Sequence, residues 1–350
     1  MDTADNNVTP SPRWIHYLAI AAGCATFPLV IVGGLVTTTR VGMADAVWPT
    51  PPWYFVWMIW VGRAMERGLG FLIEHGHRQL GWIVGLLTLI LAGCLWFREL
   101  RPWLRWLGVI ALVGVIVQGV LGGLRVILIS QTLALVHGVF AQAFFALMVC
   151  LAAFTGRGWA DRVTPRESSD AARLQRLALT TTAFVLLQLI FGATLRHLGV
   201  PWALAAHLVV AFVVVVHVGL LAKRIFVQHA DQPKLVRSIE VLGGLMLGQL
   251  MLGAGAWGTS SGFGLNETTA ASGAQVFFAT AHVSVGALIL AICVLLTAQS
   301  YRLLAAPADQ GPRRRDRESS PASSRGGPAP LRPTVSALES RELWTAEVHA

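Results

Sequence analysis

Long apolar stretches follow one another along this chain, and short polar segments separate them. Eight stretches approach the length of about 20 residues that a helix needs to cross the hydrocarbon core of a bilayer. They lie at residues 14–36, 77–97, 103–123, 132–154, 177–195, 202–222, 239–257 and 275–299. Because lipid cannot satisfy exposed backbone N–H and C=O groups, we predict eight transmembrane helices and an all-α integral membrane protein.

The composition agrees, since 55% of the residues are hydrophobic and only 13% are charged. The formal net charge is +9, but the positive residues lie between the spans and in the tail, where they report topology and do not indicate nucleic-acid binding. Among the loops, the second, fourth and sixth hold the largest share: Arg98, Arg101, Arg105, Arg157, Arg162, Arg166, Arg173, Arg176, Lys223, Arg224, Lys234 and Arg237. This excess predicts that these loops and both termini are cytoplasmic, in a multi-pass protein of the inner (plasma) membrane.

Four histidines, His77, His137, His207 and His282, each stand near the start of an even-numbered span. The predicted topology places all four toward the extracytoplasmic side. A histidine within lipid needs a partner for its polar ring, so each could simply hydrogen-bond a neighbouring helix. Four histidines in register favour a functional arrangement instead, in which two imidazoles of each half bind one haem iron. The register predicts two haem sites at one membrane face.

The turns before these histidines form an internal repeat. Each unit is an odd helix that ends in small residues, a loop, and an even helix that carries the histidine. The repeated residues are Gln118, Gly122 and Arg125 before His137; Gln188, Gly192 and Arg196 before His207; Gln249 and Gly253 before His282; and Gly33, Gly34 and Arg40 before His77. Four units predict two pseudo-symmetric four-helix bundles, related by an axis along the membrane normal. The small residues let neighbouring backbones approach and leave room for a flat macrocycle.

The predicted organisation has four parts. Residues 1–156 form an N-terminal four-helix half, residues 157–176 a cytoplasmic linker, and residues 177–303 a C-terminal four-helix half. Residues 304–350 are rich in Ser, Pro and Gly and contain a basic cluster at residues 313–315. This composition predicts a disordered cytoplasmic tail.

The first half carries a carboxylate that has no counterpart in the second. Glu74 precedes His77 by three residues, so a helix at this point places both side chains on nearly one face. Glu74 could then act on whatever His77 binds, or it could form an ion pair with Arg78, four residues later. Arg78, Arg40, Arg125 and Arg196 are candidate partners of haem propionates, although the last three also suit simple interfacial anchors.

The loop after the first span contains an aromatic run, residues 48–60, with Trp48, Trp53, Trp57 and Trp60. The run is too short to span a bilayer and too aromatic to be well solvated. It indicates an interfacial segment that either anchors the loop in the membrane or covers the first histidine pair.

Taken together, these motifs resemble the haem A synthase family over nearly all of residues 14–299. The residues that carry the resemblance are the Gly33-Gly34-Leu-Val-Thr-Thr-Thr-Arg40-Val-Gly42 segment, the Glu74-x-x-His77-Arg78 motif, the Gln/Gly/Arg turns, and the histidines His137, His207 and His282. The resemblance implies an oxidoreductase of cytochrome oxidase assembly, which oxidises a ring methyl of haem O through an alcohol to the formyl group of haem A.

The resemblance also implies roles for individual residues. His77 and His137 would be the iron ligands at the substrate-haem site, with Glu74 as the catalytic acid/base residue. His207 and His282 would hold a haem b cofactor. The implied partners are haem O, an unidentified electron acceptor and the lipid bilayer. Delivery of haem O by a haem O synthase and formation of a homo-oligomer are left open.

One departure and one rival accompany the resemblance. Some bacterial members carry a cysteine pair in the first extracytoplasmic loop, whereas residues 37–76 of this chain contain no cysteine. The rival class is a dihaem cytochrome b that carries electrons through the membrane without altering its haems. It explains the four histidines but does not require Glu74. A polytopic transporter with incidental histidines is a third class.

Overall fold

Eight long helices dominate the computed structural model, which describes residues 12–45, 48–50, 52–60, 66–161, 163–260 and 271–307. In chain order the helices are α1 (Arg13–Thr38), the short α2 (Pro52–Trp60), α3 (Leu69–Arg98), α4 (Pro102–Ile127), α5 (Gln131–Thr155), the short α6 (Arg157–Ala160), α7 (Ala171–Leu198), α8 (Pro201–Gln228), α9 (Pro233–Thr259) and α10 (Gly273–Leu303). All the long ones are long and apolar enough to cross a membrane. The predicted all-α class and its eight spans are confirmed.

Each long helix continues beyond the apolar stretch that predicted it. The largest extension is at the start of α3, which begins at Leu69 and not near residue 77. Glu74 and His77 therefore lie within a helix, as the argument for a shared face required. Apolar periodicity locates the part of a helix that lies in lipid, but it cannot locate the polar turns that continue the same helix toward the membrane surface.

Local signals set several helix ends. Proline occupies the first turn of α4, α8 and α9, where its missing N–H has no intrahelical partner to lose. Ser130 and Ser272 cap α5 and α10 by accepting hydrogen bonds from the backbone N–H groups of Leu133 and Gln275. Gly199 ends α7 with φ +64°, a left-handed conformation that favours glycine.

The long helices pack in two groups of four. In the first group α1 contacts α3 and α5, and α4 contacts the same two helices. In the second, α7 contacts α8 and α10, and α9 contacts the same two. The groups meet where α10 contacts α1 and α5 and where α5 contacts α7. The pseudo-symmetry of the two groups and the predicted domain boundaries remain predictions.

Apolar side chains fill the interior and also cover the outside. One cluster lies within the first group around Val84, Leu104 and Met148, and a larger one joins the second group to Phe145 and Ala146 of α5. Large apolar residues such as Phe97, Phe212 and Met251 are more than two-thirds exposed. An outer surface of this kind suits lipid and is unusual in a protein surrounded by water.

A short pair of parallel strands ties two distant segments together. β1 (Arg166–Glu167) pairs with β2 (Leu304–Ala305), and the N–H of Ser168 donates to the carbonyl of Ala305 at 2.9 Å. These contacts join the predicted linker to the residues directly after α10. Residues 308–350, most of the predicted tail, lie outside the described residues.

Candidate functional site

The four histidines come together as two pairs. His77 lies in the third turn of α3 and His137 in the second turn of α5, with ring centroids 6.4 Å apart and planes at 77°. His207 lies in the second turn of α8 and His282 in the third turn of α10, with ring centroids 6.1 Å apart and planes at 65°. Each pair therefore joins two helices that are not consecutive in the chain.

A glycine of the preceding span supports each imidazole. An ideal β-carbon on Gly33 would lie 3.0 Å from Cε1 of His77, and the equivalent distances for the other pairs are 3.1 Å (Gly122 to His137), 2.9 Å (Gly192 to His207) and 2.9 Å (Gly253 to His282). At Gly192 and Gly253 a β-carbon would come closer than real β-carbons do, and at Gly33 and Gly122 the ring would have to shift by a few tenths of an ångström, so glycine lets each ring approach the helix at its observed position. The repeated glycines thus make room for the imidazoles themselves, in addition to the backbone approach predicted from the sequence.

Backbone carbonyls orient the rings of the second pair. Nδ1 of His207 lies 3.1 Å from the carbonyl oxygen of Gln188, and Nδ1 of His282 lies 3.2 Å from that of Gln249. A carbonyl can only accept, so Nδ1 carries the hydrogen and Nε2 keeps its lone pair. This arrangement is typical of a histidine that binds a metal through Nε2.

Backbone carbonyls also lie beside the rings of the first pair, but not in hydrogen-bond geometry. The carbonyls of Gln118 and Leu29 lie beside His137 and His77. Both Nδ1 atoms are nevertheless buried outside hydrogen-bond geometry with any of the described residues. In all four units the carbonyl belongs to the residue four positions before the supporting glycine, so one helix face provides both the space and the acceptor.

The separation within each pair would allow both imidazoles to bind one iron. Two metal–nitrogen bonds of about 2 Å, with roughly 1 Å from each nitrogen to its ring centre, give a centroid separation of about 6 Å. Among the described residues, no three His, Cys, Asp or Glu side chains gather as they would around an ion held by protein ligands alone. Two imidazoles suffice when a macrocycle provides the remaining ligands, as in haem.

Contacts between the groups place both pairs at the same end of the molecule. Nη2 of Arg196 donates to the carbonyl of Gly34, 2.8 Å away, and to the hydroxyl of Thr38. Thr38 in turn lies 3.4 Å from Thr280, two residues before His282. Since Gly34 follows the glycine that supports His77, these contacts join the surroundings of the two pairs.

Glu74 is almost fully buried, and both of its carboxylate oxygens are engaged. Oε1 accepts a hydrogen bond from Nη2 of Arg78 at 2.7 Å, and Oε2 accepts one from the backbone N–H of Asp45 at 2.8 Å. The ion pair with Arg78, one of the two alternatives from the sequence, is therefore present. It does not exclude the other, because an engaged carboxylate can still exchange a proton.

The four arginines proposed as propionate partners have different surroundings. Arg78 donates to Glu74 and to the Asp45 carbonyl, and Arg196 donates to Gly34 and Thr38. The guanidinium of Arg125 lies against Gly42, while Arg40 follows α1 with φ +59°. A guanidinium has five N–H donors, so these contacts do not exclude a hydrogen bond to a propionate as well. Binding of propionates by these arginines stays a prediction.

The first loop lies beside the first histidine pair and also presents an apolar surface. Trp48 lies directly over Gly123, beside the glycine that supports His137. In α2, Trp53 and Trp57 are at least half exposed, while Met58 is buried against Phe71 of α3. The exposed aromatic side chains suit the membrane interface, and both roles considered from the sequence, anchoring and covering, stay predictions.

Two residues of this region were not predicted from the sequence. Asp45 and His75 are both buried, and Oδ2 of Asp45 lies 3.4 Å from Nε2 of His75. His75 stands two residues before His77, which places it on the opposite side of the helix. The pattern of motifs offered no signal for Asp45, a single polar residue in a loop.

The supporting glycines lead to a prediction with internal controls. Gly253→Val should displace the ring of His282 and cost about 1–3 kcal/mol in unfolding free energy. Gly248→Val, in the same helix with open space around the added atoms, should stay within about 0.5 kcal/mol. Denaturation in detergent and haem absorbance per protein measure the effects, and equal behaviour of the two variants would contradict the glycine's role. Gly122→Val and Gly119→Val form the matched set for the first pair.

Part of the chain matches a known protein family. Residues 64–201 match the COX15-CtaA family model, described as cytochrome oxidase assembly protein. The segment runs from just before α3 to the first residue of α8 and contains Glu74, His77 and His137. The family resemblance stated from the sequence motifs is confirmed over this segment. The search of curated proteins gave no match.

Proposed function

We propose that this protein is a haem A synthase, an oxidoreductase that converts a ring methyl of haem O to the formyl group of haem A through an alcohol. The observation that carries the proposal is the pair of two-histidine arrangements, each supported by glycine and flanked by a backbone carbonyl, at one end of a bundle of apolar helices. The match of residues 64–201 to a family of cytochrome oxidase assembly proteins supports the same function.

The first pair is assigned to the substrate. His77 and His137 would hold the iron of haem O, which fixes the macrocycle between α3 and α5. Glu74 stands one turn before His77, and its two hydrogen bonds hold the carboxylate in one orientation. In that position it can take a proton from the substrate alcohol or return one during dehydration of a diol.

The second pair is assigned to a resident haem b. His207 and His282 would bind its iron through Nε2, since their Nδ1 atoms face the carbonyls of Gln188 and Gln249. When bound, haem b supplies electron transfer, which none of the chain's own side chains can provide. Conversion of a methyl to a formyl group adds one oxygen atom and is a net oxidation, so the proposal also requires an oxygen donor and an external electron acceptor.

The proposed location is the inner (plasma) membrane, with both termini in the cytoplasm. The eight apolar helices and the arginine-rich even-numbered loops support it. Reporter fusions after residues 60 and 165 should then give opposite compartments. The same compartment for both would contradict this topology. Haem O would come from a haem O synthase acting before this protein.

Identification of the bound porphyrins tests the function. The purified protein should yield haem B together with haem O or haem A on acid extraction and chromatography. Haem B alone would favour the rival, a dihaem cytochrome b that transfers electrons without altering its haems. A colourless protein from haem-replete cells would contradict both and favour a transporter. Expression with a haem O synthase should increase the yield of haem A only if the protein is a synthase.

A further inference from the structure

A short segment of the first loop lies against α3 and α4, next to the glycine that supports His137. Its described residues are 42–45 and 48–50, and we call it the cover. The guanidinium of Arg125 lies 3.0 Å from the position that a β-carbon on Gly42 would take. At the other end, the indole of Trp48 covers Gly123 so closely that no side chain could replace that hydrogen. The cover therefore rests on α4 beside Gly122, the residue that supports His137.

Asp45 attaches the cover to α3 through three separate groups. Its backbone N–H donates to Oε2 of Glu74 at 2.8 Å, and its carbonyl accepts from Nη2 of Arg78 at 2.6 Å. Its side-chain Oδ2 lies 3.4 Å from Nε2 of His75. Arg78 also reaches the hydroxyl of Thr50, 3.4 Å away. The cover and the Glu74–Arg78 pair thus form one connected network.

The Asp45 side chain lies beside the buried ring of His75. It is 1% exposed, and its ring stacks on Phe71 with centroids 4.1 Å apart and planes at 20°. Tyr54 of α2 lies on it as well, 5.5 Å between centroids. Asp45 itself is 5% exposed. A carboxylate taken out of water this completely is costly unless polar groups surround it, and the His75 imidazole is one of the groups that lie beside it.

We propose that Asp45 is a positioning residue that holds the cover on α3 and α4, beside the His77–His137 pair, and thereby fixes the orientation of the Glu74 carboxylate for the reaction. Arg78 alone would leave the Glu74 carboxylate free to rotate about its Cγ–Cδ bond, since one hydrogen bond holds only one of the two oxygens. The second contact comes from the loop backbone, so the orientation of Glu74 depends on a docked cover. The orienting role rests on the proposed function, whereas the attachment of the cover does not.

Hydrogen exchange combined with turnover tests both parts. Asp45→Ala removes the side chain that faces His75, and His75→Phe keeps the stacking on Phe71 but removes the ring nitrogens. In either variant, the amides of residues 41–50 should exchange about tenfold faster or more, because docking of the cover is lost. The kcat for conversion of haem O should fall because Glu74 is misoriented. The haem b content should stay the same because the second pair is untouched. Asp231→Ala, which removes an exposed loop carboxylate paired with Arg166, is the matched control and should alter neither property.

The possible outcomes distinguish the attachment of the cover from the orientation of Glu74. Unchanged exchange in both variants would show that Asp45 does not hold the cover. Faster exchange with normal turnover would show that the cover does not orient Glu74. If Asp45→Ala fails to fold, His75→Phe carries the test. If the wild-type protein makes no haem A, the proposed function is wrong, and the orienting role of Asp45 is wrong with it. Hydrogen exchange would still show whether Asp45 holds the cover.

Discussion

Replacing His207 or His282 by alanine is expected to remove nearly all haem b while leaving binding of substrate haem at the first pair. His77→Ala and His137→Ala should do the opposite: haem b remains and haem A production stops. The physical reason is that the two rings of each pair belong to helices of the same group of four. Their ring centroids lie 6.4 Å apart in the first pair and 6.1 Å apart in the second. Loss of one ring leaves an iron with a single protein ligand.

Absorption spectra of membranes that otherwise lack the enzyme distinguish these variants, with protein amounts matched by immunoblot. His217→Ala is the matched control, since His217 lies on the same helix as His207. Its Nδ1 is 2.9 Å from the carbonyl of Val213 in its own helix, and its ring packs on Phe184. This variant should keep both haems. Loss of haem b from His77→Ala in folded protein would show that the pairs are not separate sites.

The second large effect is expected for Glu74→Gln. Haem A output should fall on the order of 10²-fold or more, the usual contribution of a general acid or base, with haem O or its hydroxylated intermediate accumulating. Glutamine keeps the helix and one acceptor oxygen but turns the other into a donor, which would face Arg78 or the Asp45 N–H. Chromatography of extracted haems, normalised to protein and to haem b, measures the change.

A matched control for this substitution is Glu99→Gln. Glu99 is fully buried, paired with Arg101 and placed directly after α3, far from His77 in the chain. Its loss should lower stability without changing haem A output per folded protein. Near-normal haem A from Glu74→Gln would remove Glu74 from the mechanism. Exchange at residues 41–50 in the same variant would show whether loss of the Asp45 contact contributes.

Much of the fold was predictable because a bilayer imposes a simple rule. Apolar stretches of the right length must become helices, so all eight spans followed from the pattern of residues alone. The shared position of His77, His137, His207 and His282 near the starts of even spans was likewise a property of the linear sequence. The repeated glycines were visible too, although the pattern did not show that they touch the imidazole rings.

The contacts that complete the candidate site depend on the tertiary structure. Glu74 meets the N–H of Asp45 across 29 positions, and Arg196 meets the carbonyl of Gly34 across 162. Periodicity reports only which face of a helix is apolar, so it cannot identify a loop residue or a distant carbonyl as a partner. By itself the sequence determined the helices, their number and the four histidines. The repeat also predicted which rings pair. Only packing decided what supports the rings and how the first loop holds Glu74, because these contacts form only after distant segments have come together.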